Sequence, residues 1–316
     1  MMPSRVTVVE VGPRDGLQNE AAAIATADKI AFVNLLSNAG LPVIEAGAFV
    51  SPKWVPQMAD AAEVFAGIQR RPGGRYAALV PNLAGLERAH RAHVSEVAVF
   101  AAASESFSQK NINQSIDASL DTYRAVCARA AELGVRVRGY VSTAFGCPFE
   151  GAVAPARVAS VAAALVGMGA FEVAVSDTIG IAHPGQVRPV VEAVAARIPL
   201  TQIALHFHDT RGTALANVLT ALQIGVATFD ASCGGLGGCP YAPGATGNLA
   251  TEDLIYMLDG LGIETGGDLE ALIEASRFIE PRVGHPLPSR YYRASIVGAR
   301  GSGLGARGEW SSDGTG

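Results

Sequence analysis

Two histidines one residue apart, His206 and His208, follow the apolar stretch Ile203-Ala204-Leu205. If that stretch is a strand, residues i and i+2 share a face, so both imidazoles reach the same space. Rim histidines satisfied by hydrogen bonds would look the same. The carboxylates due nearby tip the reading toward a shared metal ion. Asp15, beside Arg14, is the natural third ligand, although Asp15-Gly16 also reads as a turn. An arginine next to a bound cation is costly unless an anion sits between them, which points to an anionic substrate. A carboxylate, two imidazoles and room for an amide oxygen suit Mg²⁺ or Mn²⁺ and do not rule out Zn²⁺ or Co²⁺. Cys233 and Cys239 lack the spacing of a paired-thiolate zinc site.

The second feature is the loop Gly234-Gly235-Leu236-Gly237-Gly238-Cys239-Pro240. No Gly-Lys-Ser/Thr follows it, so it is not a nucleotide fingerprint. A mobile lid that carries Cys239 over a pocket fits better. Cysteine is usually buried and inert, but a thiol in a glycine-rich exposed loop is a weaker case for that fate. Cys127 reads as core on an amphipathic helix, and His90 and His93 as solvated.

These residues need a frame. Strand candidates are Val6–Val11, Val43–Phe49, Tyr76–Val80, Glu96–Ala101, Arg136–Val141, Glu172–Ser176, Ile203–Phe207 and Thr228–Ser232. Several are continuous apolar runs, as expected of parallel strands covered on both faces. Between them lie amphipathic stretches that stop at glycines, such as Thr26 to Asn38 before Gly40 and Ala214 to Ile224 before Gly225. Eight strand–helix units in about 250 residues predict an α/β fold of (β/α)8 TIM-barrel type. A doubly wound sheet would need a glycine fingerprint after its first strand, and Gly12-Pro13-Arg14-Asp15-Gly16 is not one. Function in a barrel sits at the C-terminal ends of the strands. Arg14, Asp15, Glu45, Asp177, His206, His208, Cys239 and Asn248 all fall at or near such ends. Residues 1–290 read as one barrel domain, and 291–316 as a largely flexible, Gly- and Ser-rich extension.

Of 316 residues, 49% are hydrophobic and 17% charged, which supplies a large core and excludes disorder. A net charge of −5 argues against a nucleic-acid partner. No apolar run is long enough for a membrane span. With four cysteines and no disulfide pattern, the chain reads as a reduced cytoplasmic enzyme, with a homodimer as the expected assembly.

Longer strings sharpen this. Val9-Glu10-Val11-Gly12-Pro13-Arg14-Asp15-Gly16-Leu17-Gln18-Asn19-Glu20, Ser51 through Met58, Ser176-Asp177-Thr178-Ile179-Gly180 and Gly234 through Asn248 occur in this order. Together they resemble the 3-hydroxy-3-methylglutaryl-CoA lyases over about residues 5 to 280. The resemblance implies a barrel with a divalent cation that cleaves 3-hydroxy-3-methylglutaryl-CoA to acetoacetate and acetyl-CoA. It implies Asp15, His206, His208 and Asn248 as metal ligands, and so adds Asn248 to the set. It implies Arg14, Asp177 and Cys239 as catalytic, with Glu45 supporting the metal and the arginine. Asp177 or His206, acting as a coupled unit, would take the substrate hydroxyl proton. Arg14 would stabilise the enolate and Cys239 would protonate it. Arg14, Gln18, Lys53, Lys110 and Asn111 would contact the acyl-CoA.

The chain departs from the family's habit at Ala46-Gly47-Ala48 and Arg211, which keeps a related branched 3-hydroxyacyl-CoA open as the substrate. Amidohydrolases also carry His-x-His in a barrel, but on the first strand. Isopropylmalate synthases share the metal logic but carry a further C-terminal domain. A silent metabolite-binding barrel would be expected to lack one of Arg14, Asp177 or Cys239.

Overall fold

The computed structural model describes residues 2–238 and 247–300. Eight parallel strands close into a ring in sequence order, β1 (Thr7–Glu10), β2 (Val43–Ala48), β3 (Arg75–Leu79), β4 (Glu96–Ala102), β5 (Arg136–Ser142), β6 (Glu172–Ser176), β7 (Ile203–His206) and β8 (Thr228–Ala231). Each lies within one residue, at either end, of the strand its sequence predicts. β1 pairs with β8 from Thr7 opposite Thr228 to Glu10 opposite Ala231, which closes the barrel and removes the doubly wound alternative.

Helices α1 (Thr26–Asn38), α2 (Ala61–Gly67), α3 (Leu83–Arg91), α4 (Glu105–Ile112), α5 (Ile116–Glu132), α6 (Pro155–Gly167), α7 (Pro184–Ala195) and α8 (Ala214–Ile224) occupy the connections between strands. The apolar faces of the helices pack on the strands. Val97, Val99, Val173, Val175 and Leu205, for example, are fully buried in one core with Phe32, Leu36, Leu86 and Leu165. Helices α9 (Thr251–Gly260), α10 (Leu269–Val283) and α11 (Arg290–Arg300) follow β8.

Helix α11 corrects one expectation. The segment from 291 does not begin as a flexible extension. It is helical to Arg300, and Tyr292 is only 1% exposed, with its hydroxyl donating to Glu280 (2.8 Å). The cause is a cap from another helix. Asp253 of α9 accepts the Ser289 hydroxyl (3.0 Å) and the Arg290 and Tyr291 amides (3.1 and 2.7 Å), which satisfies otherwise orphan donors at the helix start. Residues 301–316 lie outside the described residues.

At the end of β1, Glu10 is fully buried beneath the turn that opens the glycine-rich loop. Its carboxylate accepts the Gly12 and Cys233 amides (2.8 and 2.9 Å) and the Thr251 hydroxyl (2.6 Å). Burial pushes its pKa up to about 7 in spite of these donors. A carboxyl whose folded pKa lies above its ordinary value takes up its proton earlier in the folded state. Stability from this group is therefore fully present below about pH 4.5 and is lost as pH rises through 7. Glu10→Gln keeps the shape and removes the titration, so its stability should fall less between pH 5 and 7, by up to about 1.4 kcal/mol per pH unit. Urea unfolding of both proteins across this range checks it, and parallel curves would refute it.

Candidate metal centre and active site

The C-terminal end of the barrel gathers most of the expected residues. After β1 the chain makes one wide helical turn, Gly12–Gly16, that brings Arg14 and Asp15 to the mouth. His206 ends β7, and His208 lies just beyond it in an isolated antiparallel bridge with Asn248. Asp15, His206 and His208 form a group able to hold a metal ion, each offering one ligand atom within 4.8 Å of the others. The Nε2 atoms of the two histidines are 3.2 Å apart, and Asp15 Oδ2 lies 4.0 Å from His206 Nε2 and 3.9 Å from His208 Nε2.

The donor chemistry fits a cation. Asn248 donates its amide nitrogen to Asp15 Oδ2 (2.9 Å) and to the Leu236 carbonyl (3.0 Å). Its Oδ1 is buried with no hydrogen-bond partner among the described residues, as is His208 Nδ1. A buried amide oxygen left unpaired is costly, and a metal is one way to satisfy it. Glycines make this position possible. Gly237 has φ +110°, and a Cβ there would lie 2.7 Å from Asn248 Nδ2, while a Cβ on Gly247 would lie 1.6 Å from the Gly237 carbonyl oxygen. Two strands of the loop base thus touch backbone to backbone beside Asn248.

Arg14 is 6% exposed and pairs through Nε with Glu45 and through Nη1 with Asp15. Burial alone would lower its pKa, but Glu45 and Asp15 outweigh it and the guanidinium stays charged. The same pair answers the cost of a cation beside a metal site, because two carboxylates already compensate Arg14. Burial pushes the Asp15 carboxyl up, but Arg14 and the histidines hold it well below the usual carboxylate range, in the form a ligand needs. Glu45 also accepts the Tyr140 hydroxyl (3.0 Å).

Asp177 is 1% exposed after β6, and its two oxygens accept the Ile181 and Ala182 amides, both at 3.0 Å. Burial raises its pKa, only partly offset by His208 and these amides. The coupling expected between Asp177 and His206 is therefore one of charge. The hydrogen bond from His206 Nδ1 goes instead to Asp230 Oδ2 (3.1 Å). Asp230 is pushed up by burial and held down to about 2 chiefly by Arg138.

Cys239 lies outside the described residues. The glycine loop leading to it is described to Gly238, whose carbonyl accepts from Asn19 (3.1 Å). Gln18 is half-buried next to the Arg14 turn, and Lys53 is exposed in the connection after β2. Lys110 and Asn111 are exposed on α4, with Lys110 Nζ 4.0 Å from the Phe149 ring centre. These four are at the mouth end of the barrel, outside the metal group itself.

The HMGL-like family model matches residues 5–279. The chain belongs to the HMGL-like family. A Pseudomonas aeruginosa relative named 3-hydroxy-3-isohexenylglutaryl-CoA/hydroxymethylglutaryl-CoA lyase is 55% identical over 94% of this chain and 99% of its own length. A crystal structure of hydroxymethylglutaryl-CoA lyase from Pseudomonas aeruginosa superposes with a TM-score of 0.92 at 55% identity, covering 94% of this chain and 99% of that one. A structure of an HMG-CoA lyase from Acinetobacter baumannii, in complex with coenzyme A and 3-methylmalate, gives a TM-score of 0.88 at 42% identity, covering 92% and 95%.

Several residues of this HMGL-like barrel escaped the sequence reading. Arg138, Tyr140, Asp230 and Glu172 form a buried polar layer inside the strands that meets Glu45 and His206. A charged residue in a strand otherwise apolar was the available signal, since it must be paired if it is buried. Arg211 donates to the Ile179 and Gly180 carbonyls (3.0 and 2.8 Å), so it staples the loop that follows Asp177. Thr143 adds strain at the end of β5, with φ +58° and its amide donated to Thr178 Oγ1 (2.7 Å). At β2 the register shifts between Glu45 and Gly47, and a Cβ on Gly47 would meet Ala61 of α2 at 3.4 Å. Ala46 and Ala48 on either side are buried.

Proposed function

We propose that this barrel cleaves 3-hydroxy-3-methylglutaryl-CoA to acetoacetate and acetyl-CoA with Mg²⁺ or Mn²⁺. The observation that carries the reading is the convergence of Asp15, His206 and His208 with the buried, compensated Arg14 at the barrel mouth. The close likeness to hydroxymethylglutaryl-CoA lyases, one of them seen with coenzyme A, supports the substrate class. Asp15, His206, His208 and the free amide oxygen of Asn248 would hold the ion. Once bound, it would acidify the substrate hydroxyl and grip the free carboxylate.

Asp177 takes the hydroxyl proton. Each of its oxygens uses one lone pair on a backbone amide and keeps another for the substrate. Its burial-raised pKa makes it a better base than an exposed carboxylate. His206 is the weaker candidate, because Nδ1 faces Asp230 and Nε2 faces the metal group. As the bond between C2 and C3 breaks, its electron pair moves onto the thioester and C3 becomes the ketone of acetoacetate. The pairs to Glu45 and Asp15 leave Nη2 of Arg14 to meet the thioester oxygen. Cys239 delivers a proton to the enolate carbon, which releases acetyl-CoA.

The mouth suits a coenzyme A thioester. Lys53 and Lys110 are cations for its phosphates, and Trp54, 87% exposed, offers a ring beside Lys53. The cysteines Cys127, Cys147 and Cys233 are buried and free, which fits a reducing compartment, and we assign the enzyme to the cytoplasm. No described helix is long and apolar enough to cross a membrane. The expected assembly is a homodimer, which analytical ultracentrifugation would read.

Removal of the metal is the first test. Protein incubated with Mg²⁺ and the substrate should release acetoacetate, lose that activity in EDTA and regain it when Mg²⁺ or Mn²⁺ is restored. Persistent turnover in EDTA would sink the metal mechanism. The name of the Pseudomonas relative and the small residues Ala46 and Ala48 favour a second reading, with a longer branched 3-hydroxyacyl-CoA as substrate. Comparing kcat/KM for methyl- and isohexenyl-substituted substrates decides between them.

A further inference from the structure

We propose that Asp230 is a positioning residue that fixes His206 in its Nδ1–H tautomer and so aims the Nε2 lone pair at the metal group. The proposal deepens the lyase reading at its metal site and rests on that reading for the site's use. Asp230 is 1% exposed, and Arg138 donates to both of its oxygens, Nη2 to Oδ1 (2.7 Å) and Nη1 to Oδ2 (3.1 Å). A carboxylate gripped in this way is an acceptor only. His206 Nδ1, 3.1 Å from Oδ2, must therefore be the donor. The proton sits on Nδ1, and the remaining lone pair sits on Nε2.

Arg138 cannot swing away easily. Its Nε donates to Glu172 (2.8 Å) and its Nη1 to the Tyr140 hydroxyl (2.9 Å). Tyr140 in turn donates to Glu45, the partner of Arg14. One buried chain of hydrogen bonds thus sets both the histidine and the arginine at the mouth. A carboxylate behind a metal-binding imidazole fixes ring orientation and raises ligand basicity.

The second histidine lacks this lock. His208 Nδ1 has no hydrogen-bond partner among the described residues, and His208 Nε2 lies 3.2 Å from His206 Nε2.

The test is long-range proton–nitrogen NMR of metal-free protein carrying ¹⁵N-histidine, at pH 8, where unperturbed imidazoles are neutral. The expected spectrum shows His206 as the Nδ1–H form, held by Asp230. His206 as the Nε2–H form overturns the proposal without any variant. In Asp230→Ala, Glu172 still compensates Arg138. That variant should show mixed His206 tautomers and bind Mn²⁺ on the order of 10- to 100-fold more weakly by calorimetry. Unchanged Mn²⁺ affinity in a folded Asp230→Ala protein also overturns it. Neither readout involves an acyl-CoA, so a wrong substrate assignment would appear separately, as absent acetoacetate from a protein whose tautomers and Mn²⁺ binding are as expected.

Discussion

Arg14→Lys should lower kcat by roughly 100- to 1,000-fold, the loss typical of removing one donor from a charge-stabilising site. The wild-type guanidinium is a planar fork with its corners already assigned. Nε holds Glu45, Nη1 holds Asp15, and the outer nitrogen is left for the thioester oxygen as charge builds on it. A lysine ammonium is a point charge on a flexible stem and cannot span these positions together. Among the described residues it would also leave Glu45, 1% exposed, with only the Tyr140 hydroxyl as a side-chain partner. Because the loss is in the transition state, kcat and kcat/KM should fall together. Steady-state kinetics with Mg²⁺ saturating reads this directly. A lysine variant within a few-fold of wild type would show that Arg14 serves only to hold the turn.

The second large effect is expected at Cys239. Alanine there should reduce turnover by roughly 100- to 10,000-fold, the usual range for a lost general acid or base. An ordinary thiol, with a pKa of about 8.5, is mostly protonated at neutral pH and can donate. Binding of metal and substrate should survive, since the expected ligands are Asp15, His206, His208 and Asn248. Calorimetry with Mn²⁺ and a non-cleavable thioester would separate binding from turnover. Full activity in the alanine variant would remove the thiol from the reaction.

The fold was readable because barrel strands announce themselves by β-branched apolar runs, and several of them also by a glycine that ends the preceding helix, as Gly40, Gly134, Gly169 and Gly225 do. Ile203-Ala204-Leu205-His206 is an example: apolar until the last residue, which marks both the strand end and the site. Asp15, His206 and His208 were legible for the same reason, since polar residues at strand ends have little structural excuse. Asp230 and Arg138 were not. Each sits within a strand, Arg138 in β5 and Asp230 in β8, three strands apart, and only the closed barrel puts them 2.7 Å from each other. Helix α11 was missed because its start is capped by Asp253 from another helix, which local sequence does not reveal. Lys53, Lys110 and Asn111 were read as contacts for the acyl-CoA, and they stand exposed, apart from the metal group.

The buried network also has an electrical balance. Arg14 and Arg138 contribute two positive charges, Asp15, Glu45, Glu172 and Asp230 contribute four negative ones, and Asp177 adds a fifth when it is ionised to act as the base. The surplus is negative and lies beside the histidines, where charge is poorly screened. A dication offsets more of it than a monovalent ion can, before any question of ionic radius arises.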